Sequence, residues 1–427
     1  MTTLHEELRW RGLLHQATEG CEAQLSKAPV KGYCGFDPTA ESLHVGNLVS
    51  LMGLVHLARA GHTAIALVGG GTAMIGDPSG KSEERPMRSA EEIAANAQLI
   101  WQQIQRVATN ALGEAGAKRF LVRDNAEWLA KEGLITFLRD VGKHFTVNWM
   151  QQKDSVKSRM ENASGISFTE FSYMLLQAYD FQRLHEKDGV SLQIGGSDQW
   201  GNITAGTELI RRASRGEAHG LTFPLLTDSA GKKFGKTEAG AVYLDAKLTS
   251  VYKFYQFWIN AEDADVGRLL RTFTLLDAAE ITAIEAAHTA APHERGAQKR
   301  LAAEVTTLIH GAEAARVAET VSRTVFDKKA DAQALSDEVF AMLAAEMPSV
   351  QAEASSGSDV DVVDALTQAF SLSKTAARKL VQQGAVSVNG TRLAADATTA
   401  PASDAVRGRW MLLRKGAREV AVLDLAR

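Results

Sequence analysis

The chain has 427 residues, of which 45% are hydrophobic and 23% charged, and its formal net charge is −4. That balance belongs to a globular protein of about two to four domains, and the mild acidity leaves room for no more than a local nucleic-acid-binding patch. Two cysteines, Cys21 and Cys34, exclude a disulfide framework and suit a reducing cytoplasm, and neither metal-ligand spacing, a secretory leader nor a membrane-length apolar run is expected from the sequence.

Residues 1–29 read as helical, with Leu4, Leu8, Leu13 and Leu14 on one stripe. Val30–Phe36 reads as a strand. The chain then turns through Pro38–Asn47 into Leu48–Ala60, which is apolar at helical spacing and is stopped by Gly61. A strand that turns into a helix leaves free N–H groups at the helix start, where phosphate is attracted. His44 and Asn47 stand there as donors, and Gly46 lets a flat ligand approach the backbone; taken alone, such a His is more often a cap. Thr63–Val68 has the continuous apolar character of a strand buried on both faces. It empties into the glycine-rich run Gly69–Gly80. Strand, helix and strand make a βαβ unit with a parallel sheet, and ligands bind beyond the carboxyl ends of such strands, so both loops should border one crevice.

Helices are expected over 90–117 and 126–141, with a strand at Phe120–Arg123 between them and a polar, basic stretch over 142–162. Residues 167–180 form a helix with Thr169 as candidate N-cap and Phe171, Met174, Leu175 and Ala178 on its apolar side. Tyr173, Gln177 and Asp180, at spacings of four and three, share another stripe. Val190–Asn202 runs from a strand through glycine into polar residues, and a helix follows from near Asn202 to near Arg212. These pieces make a first domain over 1–227. Residues 228–247 are a linking segment containing Lys232-Lys-Phe-Gly-Lys-Thr237; 248–346 are helical and alanine-rich; 347–360 read as a flexible linker. The final domain, 361–427, holds ten Lys/Arg against six Asp/Glu, opposite in sign to the whole chain. A basic helix start at Ser373–Lys379 and a hairpin with an Asn389-Gly390 turn make RNA its expected ligand, with Lys374, Arg378, Lys379, Arg407, Arg409, Arg414 and Lys415 as candidate contacts.

Three features converge on a nucleotide polyphosphate: the His44/Asn47 helix start, the Gly76–Lys81 loop with Arg85, and the Lys233/Lys236/Thr237 loop. Phosphoryl chemistry needs positioning and charge neutralisation more than a protein nucleophile. The glycine spacing fits neither a Walker A loop nor a dinucleotide fingerprint. Phe36–Asn47 and Lys233–Thr237 resemble the two signatures of class I aminoacyl-tRNA synthetases. Gly76–Gly80, Phe168–Asp180 and Gln193–Ile203 narrow the resemblance to the bacterial-type tyrosyl-tRNA synthetases, and it spans essentially the whole chain. The first signature departs from the family pattern by ending in Asn47 rather than His. The second carries Phe-Gly-Lys-Thr in place of Met-Ser-Lys-Ser. Both changes are chemically mild, because Asn still donates and Thr keeps the hydroxyl.

The resemblance implies an α/β protein: a Rossmann-like parallel-sheet catalytic domain, an α-helical domain and a small α+β S4-like domain. It implies that Tyr33 and Asp180 bind the phenol of L-tyrosine, that Tyr173, Gln177 and Asp77 hold its ammonium group, and that Gln199 meets its carboxyl group. It implies ATP contacts by Cys34, Gly35, Asp37, His44, Gly46, Asn47, Gly196, Asp198 and Lys236. Thr39, His44, Lys81, Arg85, Lys233, Lys236 and Thr237 would stabilise the leaving pyrophosphate. ATP would be a substrate arriving with Mg2+, with no structural metal; tRNA(Tyr) would be the acceptor, and the enzyme a cytoplasmic homodimer with Phe168 near its interface and no membrane partner. Two other readings are a tryptophan-specific relative and an RNA-binding or splicing protein that retains an inactive synthetase fold. Asp180 with Tyr33 argues against the first, and the complete polar set argues against the second.

Overall fold

The computed structural model describes residues 3–77, 79, 88–161, 165–227, 229, 231, 234–237, 240–327, 330–352 and 359–425; of Asp154, Ser155, Ser158, Lys236 and Thr237 it describes the backbone alone. The chain divides into two compact units, Met1–Ser250 with Phe257–Ile309, and Val251–Gln256 with His310–Arg427. The segments expected to end at 227 and 346 do not coincide with these units.

In the first unit the N-terminal stretch is not one helix. α1 (Leu4–Trp10) and α2 (Cys21–Lys27) are separated by a two-residue strand, β1 (Gln16–Ala17), with Gly12 and Gly20 at positive φ. The expected βαβ unit is present: β2 (Lys31–Phe36), α3 (Val45–Arg59) and β3 (Thr63–Val68). Eleven of the fifteen residues of α3 are buried, which suits a helix apolar on nearly every side. α4 (Ala90–Ala117) is interrupted at Gly113, and β4 (Phe120–Asp124) follows. The helix expected over 126–141 is two, α5 (Ala126–Leu129) and α6 (Leu134–Asp140), with Gly133 at the second start. α7 (Val147–Gln151) and α8 (Asp154–Met160) occupy the basic stretch.

α9 (Phe168–Asp188) is capped by Ser167 rather than by Thr169. The Ser167 hydroxyl accepts from the Glu170 N–H at 3.2 Å, and the Glu170 carboxylate accepts in return from the Ser167 N–H at 3.4 Å. α9 continues to Gly189, which takes φ +70°. Then come β5 (Leu192–Gly196), α10 (Trp200–Ser214) and β6 (His219–Phe223), a strand that the sequence reading does not include. The six strands lie in the order β1-β6-β5-β2-β3-β4, parallel except for β1. From β2 the chain builds outward to β3 and β4, and then returns to place β5 and β6 on the other side. The direction of winding therefore reverses between β2 and β5, and there a crevice opens at the carboxyl ends of the strands. β7 (Lys236–Thr237) and β8 (Gly240–Ala241) form a small hairpin. α11 (Val251–Ile259), α12 (Asp263–Phe273), α13 (Ala278–Ala290) and α14 (Gly296–His310) follow.

The second unit contains α15 (Ala312–Phe326), α16 (Asp337–Glu346), β9 (Ser349–Gln351), β10 (Val360–Asp361), α17 (Val362–Phe370), α18 (Lys374–Gln382), β11 (Val386–Val388), β12 (Thr391–Arg392), β13 (Thr399–Ala400), β14 (Trp410–Lys415) and β15 (Glu419–Asp424). Its main sheet has the order β12-β11-β14-β15-β9. Alternate residues of a strand face opposite ways, and here each face meets its own core. Met411, Leu413, Ala421 and Leu423 pack with Val363 and Leu366 of α17 and Ala377 of α18. Trp410, Leu412, Val420 and Val422 pack with Val321 of α15 and Phe340 and Leu343 of α16. The segment read as a flexible linker contributes β9, which pairs in parallel with β15. The last domain thus shares a hydrophobic core with the helices before it.

Candidate active site

The crevice is a cavity of about 500 Å3, within the usual size for a small-molecule site. Tyr33 of β2 lies at its base, fully buried, with its ring edge-on to Phe181 at 5.3 Å. Its hydroxyl has no hydrogen-bond partner among the described residues. Burial, followed by the nearby Asp180 carboxylate, holds its pKa well above the ordinary phenol value, so it remains a hydroxyl. Asp180 of α9 is held by two donors, Asn125 Nδ2 at 2.8 Å and Trp128 Nε1 at 2.7 Å. Burial pushes this carboxyl up to about 7; those two hydrogen bonds oppose the rise, and Asp37 and Asp124 add to it. Both the Tyr33 phenol and this carboxylate border the cavity.

A polar chain runs on from there. Asn125 Nδ2 also donates to Thr72 Oγ1 at 3.0 Å, Thr72 donates to Asp37 Oδ1 at 2.9 Å, and the Tyr173 hydroxyl donates to Asp37 Oδ2 at 3.0 Å. Burial, then Asp37 and Asp77, keep Tyr173 well above its ordinary pKa. Two carboxylates and a neutral phenol make this part of the site suited to a cation. Asp37, expected on the nucleotide, is thus tied to Tyr173, expected on the amino acid. Next to it Gln199 Nε2 donates to Asp77 Oδ2 at 2.7 Å, Gln177 Nε2 to Gln199 Oε1 at 3.2 Å, and Asn202 Nδ2 to both Gln177 Oε1 and Gln199 Oε1, at 3.0 and 3.2 Å. These cross-links fix the orientation of each amide. Asn202, Thr72, Asn125 and Trp128 are site residues that the sequence reading did not assign. Only Asn202 carried a signal there, as the end of the glycine-to-polar run after β5.

Of the residues expected at the ATP, Cys34, Gly35, Thr39, His44, Gly46, Asn47, Gly196 and Asp198 all line the cavity. Burial pushes the Cys34 thiol up to about 12, with a hydrogen bond to Ser50 opposing, so it is a neutral thiol at physiological pH. The α3 N-terminus opens into the cavity at His44–Asn47. Asn47 Oδ1 accepts from the His44 N–H at 3.1 Å. With its oxygen held as a helix cap, the Asn47 side chain keeps its Nδ2 donors for a ligand. Gly46 has a steric reason: a Cβ there would stand 2.8 Å from the His44 ring.

The second signature meets the first through the backbone. The Val45 N–H donates to Val242 O at 2.9 Å, the Leu244 N–H to Leu43 O at 2.8 Å, and His44 and Tyr243 form an antiparallel bridge. The Val242 N–H reaches Gly235 O at 3.1 Å. Gly235 takes φ +87°, and a Cβ on it would lie 3.1 Å from Val45 Cβ and 3.2 Å from the Gly46 nitrogen. β7, with Lys236 and Thr237, is therefore carried to the α3 N-terminus. Lys81, Arg85 and Lys233 lie outside the described residues. Among the described residues, no group of three or more His, Cys, Asp or Glu is placed to hold a metal ion, and no helix is long and apolar enough to cross a membrane.

The candidate RNA contacts lie in the second unit, and one of them needs correction. Arg414 is buried; it shares a strand face with Leu412 and donates to the carbonyls of Thr324, Val325 and Asp327 at the end of α15, at 2.6, 3.0 and 3.2 Å. Its guanidinium is a helix C-cap and is closed to RNA. Lys374 pairs with Asp364, Arg407 with Asp337, Arg409 with Asp424 and Lys415 with Glu419. Arg378 and Lys379 are exposed on α18 and have no ion-pair partner among the described residues.

The family model of tRNA synthetases class I (W and Y) matches residues 25–327. That of the tyrosine–tRNA ligase SYY-like C-terminal domain matches 339–423. The chain is 48% identical to the tyrosine–tRNA ligase of Roseiflexus castenholzii and 49% identical to that of Anaeromyxobacter dehalogenans strain 2CP-1, with 100% of both chains covered in each case. A solved structure, a C-terminally truncated mitochondrial tyrosyl-tRNA synthetase of Aspergillus nidulans, superimposes with a TM-score of 0.70 at 32% identity, covering 76% of this chain and 95% of that one. By sequence over its full length, and by the fold and polar residues of its crevice, the chain belongs to the class I tRNA synthetases and, within them, to the tyrosine–tRNA ligase family.

Proposed function

We propose that the protein activates L-tyrosine with ATP to tyrosyl-adenylate, releasing pyrophosphate, and then transfers the tyrosyl group to the 3′ end of tRNA(Tyr). The observation that carries this reading is the Tyr33 hydroxyl, buried without a partner among the described residues, in the same cavity as the doubly braced Asp180. A substrate phenol can donate to the Asp180 carboxylate and accept from Tyr33. Phenylalanine would leave both groups buried and unpaired, which is costly. The ammonium group lies against Tyr173, Gln177 and Asp77, with Asp37 bonded to Tyr173, and Gln199 directs the substrate carboxylate outward to the nucleotide.

That carboxylate attacks the α-phosphorus of ATP, and the bond to the bridging oxygen of pyrophosphate breaks. ATP enters with Mg2+ as part of the substrate. Cys34, Gly196 and Asp198 hold the ribose. Thr39, His44 and the α3 N-terminus meet the departing phosphates, joined by Lys81, Arg85, Lys233, Lys236 and Thr237. A terminal ribose hydroxyl of the tRNA then attacks the tyrosyl carbonyl, and AMP leaves. Tyrosine-dependent ATP–pyrophosphate exchange tests the reading across all amino acids. Exchange with tyrosine alone is expected; none, or equal exchange with phenylalanine or tryptophan, would remove it.

A cytoplasmic homodimer is part of the proposal. Half of the exposed large apolar side chains among the described residues fall within 134–168, including Leu134, Ile135 and Phe168, whose exposures are 70%, 76% and 80%. Such a face is suited to burial against a second copy. A mass of one chain in sedimentation would argue against it.

A further inference from the structure

The second signature carries Phe234 where the usual pattern has Met, and the ring is not a passive replacement. It stands among three aromatic rings: Phe257 at 5.2 Å, edge-on; Trp258 at 5.8 Å; and Phe273 at 6.2 Å, stacked. Trp258 and Phe273 are fully buried and edge-on to each other at 5.0 Å, so they form a fixed socket. Such ring pairs stabilise beyond the area they bury. The same helix that supplies Phe273, α12, also grips the chain upstream. Arg268 Nη2 donates to Thr227 O at 2.6 Å and to Asp265 Oδ1 at 2.8 Å, and the Ser229 N–H donates to Asp265 Oδ2 at 3.1 Å. Between these anchors the Phe234 N–H donates to Leu226 O at 3.0 Å. Immediately after the ring, Gly235 lies against Val45 and Gly46.

We infer that Phe234 is a positioning residue for pyrophosphate release: its ring, seated on α12 and α11, sets the register in which Gly235 meets the α3 N-terminus and Lys236 arrives beside the phosphates. This rests on the reading of the site as one that forms an aminoacyl-adenylate. Phe234 borders the same cavity as Tyr33 and Asp180, but its ring contacts are with α11 and α12 and it brings no polar group to a ligand, so its loss should act on the chemical step and leave tyrosine binding alone. Groups that act only on developing charge change kcat rather than KM, and displacement by about 1 Å costs up to a hundredfold.

The test is ATP–pyrophosphate exchange on the full chain, with amide hydrogen exchange as a second measurement. Phe234→Ala should lower kcat by about tenfold or more and leave the tyrosine KM within about twofold. Amide exchange should quicken across 226–242 and stay unchanged in β2 and β5. Phe234→Met, long and apolar enough to fill the socket, should restore most of kcat. A Phe234→Ala enzyme with wild-type kcat would overturn the inference. So would a tyrosine KM that rises as much as kcat falls, faster amide exchange throughout the sheet, or a Phe234→Met enzyme as slow as the alanine variant. If the unaltered protein shows no exchange, the proposed function falls, and the amide measurement still decides whether Phe234 holds this segment.

Discussion

Asp180 is placed where a carboxylate is hardest to keep ionised. Its proton is held up to about pH 7, against 3.8 for an ordinary Asp, chiefly because of burial. Between those values the folded chain binds more protons than the unfolded one, so this residue costs stability as pH rises through about 7. At ~1.4 kcal/mol per pH unit, the full cost above that range is roughly 4 kcal/mol. Asp180→Asn removes the titration. Relative to the wild type, its melting temperature should therefore improve between pH 5 and pH 8, while its tyrosine KM rises about a hundredfold or more. Melting curves at the two pH values check the first part; a difference independent of pH would refute it. The sequence made the meeting of three cavity-lining residues legible: Tyr173 and Asp180 share a helical stripe, and Tyr33 lies on the strand that enters the crevice. It could not reveal what braces Asp180. Asn125, Trp128 and Thr72 have no spacing in common with position 180, and the sheet alone brings them together. Arg414 was misread for a related reason. A charge count ignores strand parity, and two residues from the buried Leu412 means the same inward face.

Among the elements, long periodic segments such as α3, α9 and β3 were readable because burial imposes their pattern. Short pieces that exist through distant partners were not: β1 and β9 are two and three residues long, and each is a strand only because β6 and β15 lie beside it. The Asn389-Gly390 turn was readable, since both residues take positive φ, at 47° and 83°. α18 is the element on which RNA binding should depend most. Ser373 caps it, and Arg378 and Lys379 project from it without compensating carboxylates among the described residues. The combined substitution Arg378→Glu with Lys379→Glu should leave adenylate formation within about twofold. tRNA charging should fall about tenfold at moderate salt, because fewer phosphates are neutralised. Charging equal to wild type in a filter assay would remove α18 from the RNA surface.

For the molecule as a whole, the two-unit division alters what a truncation would measure. Deletion of 361–427 would remove the candidate RNA contacts of the last domain. It would also strip Trp410, Leu412, Val420 and Val422 from the core that holds α15 and α16. Loss of charging in such a deletion would mix lost contacts with local unfolding, and the two-residue substitution in α18 separates them. The domain order was legible from composition and motifs. The shared core was not, because the apolar runs of β14 and β15 announce burial on two faces without saying what covers the second.

β15 is an interior strand, with β14 on one side and β9 on the other. During synthesis, β9 leaves the ribosome long before its partner is made. The second unit's sheet can close only after β15 has been made, when the first unit has had time to fold. A chain that stops before β15 would leave β9 without its partner and both cores of the second unit without Val420, Ala421, Val422 and Leu423. Such a product is a ready substrate for proteolysis, so one late strand decides whether the whole second unit survives.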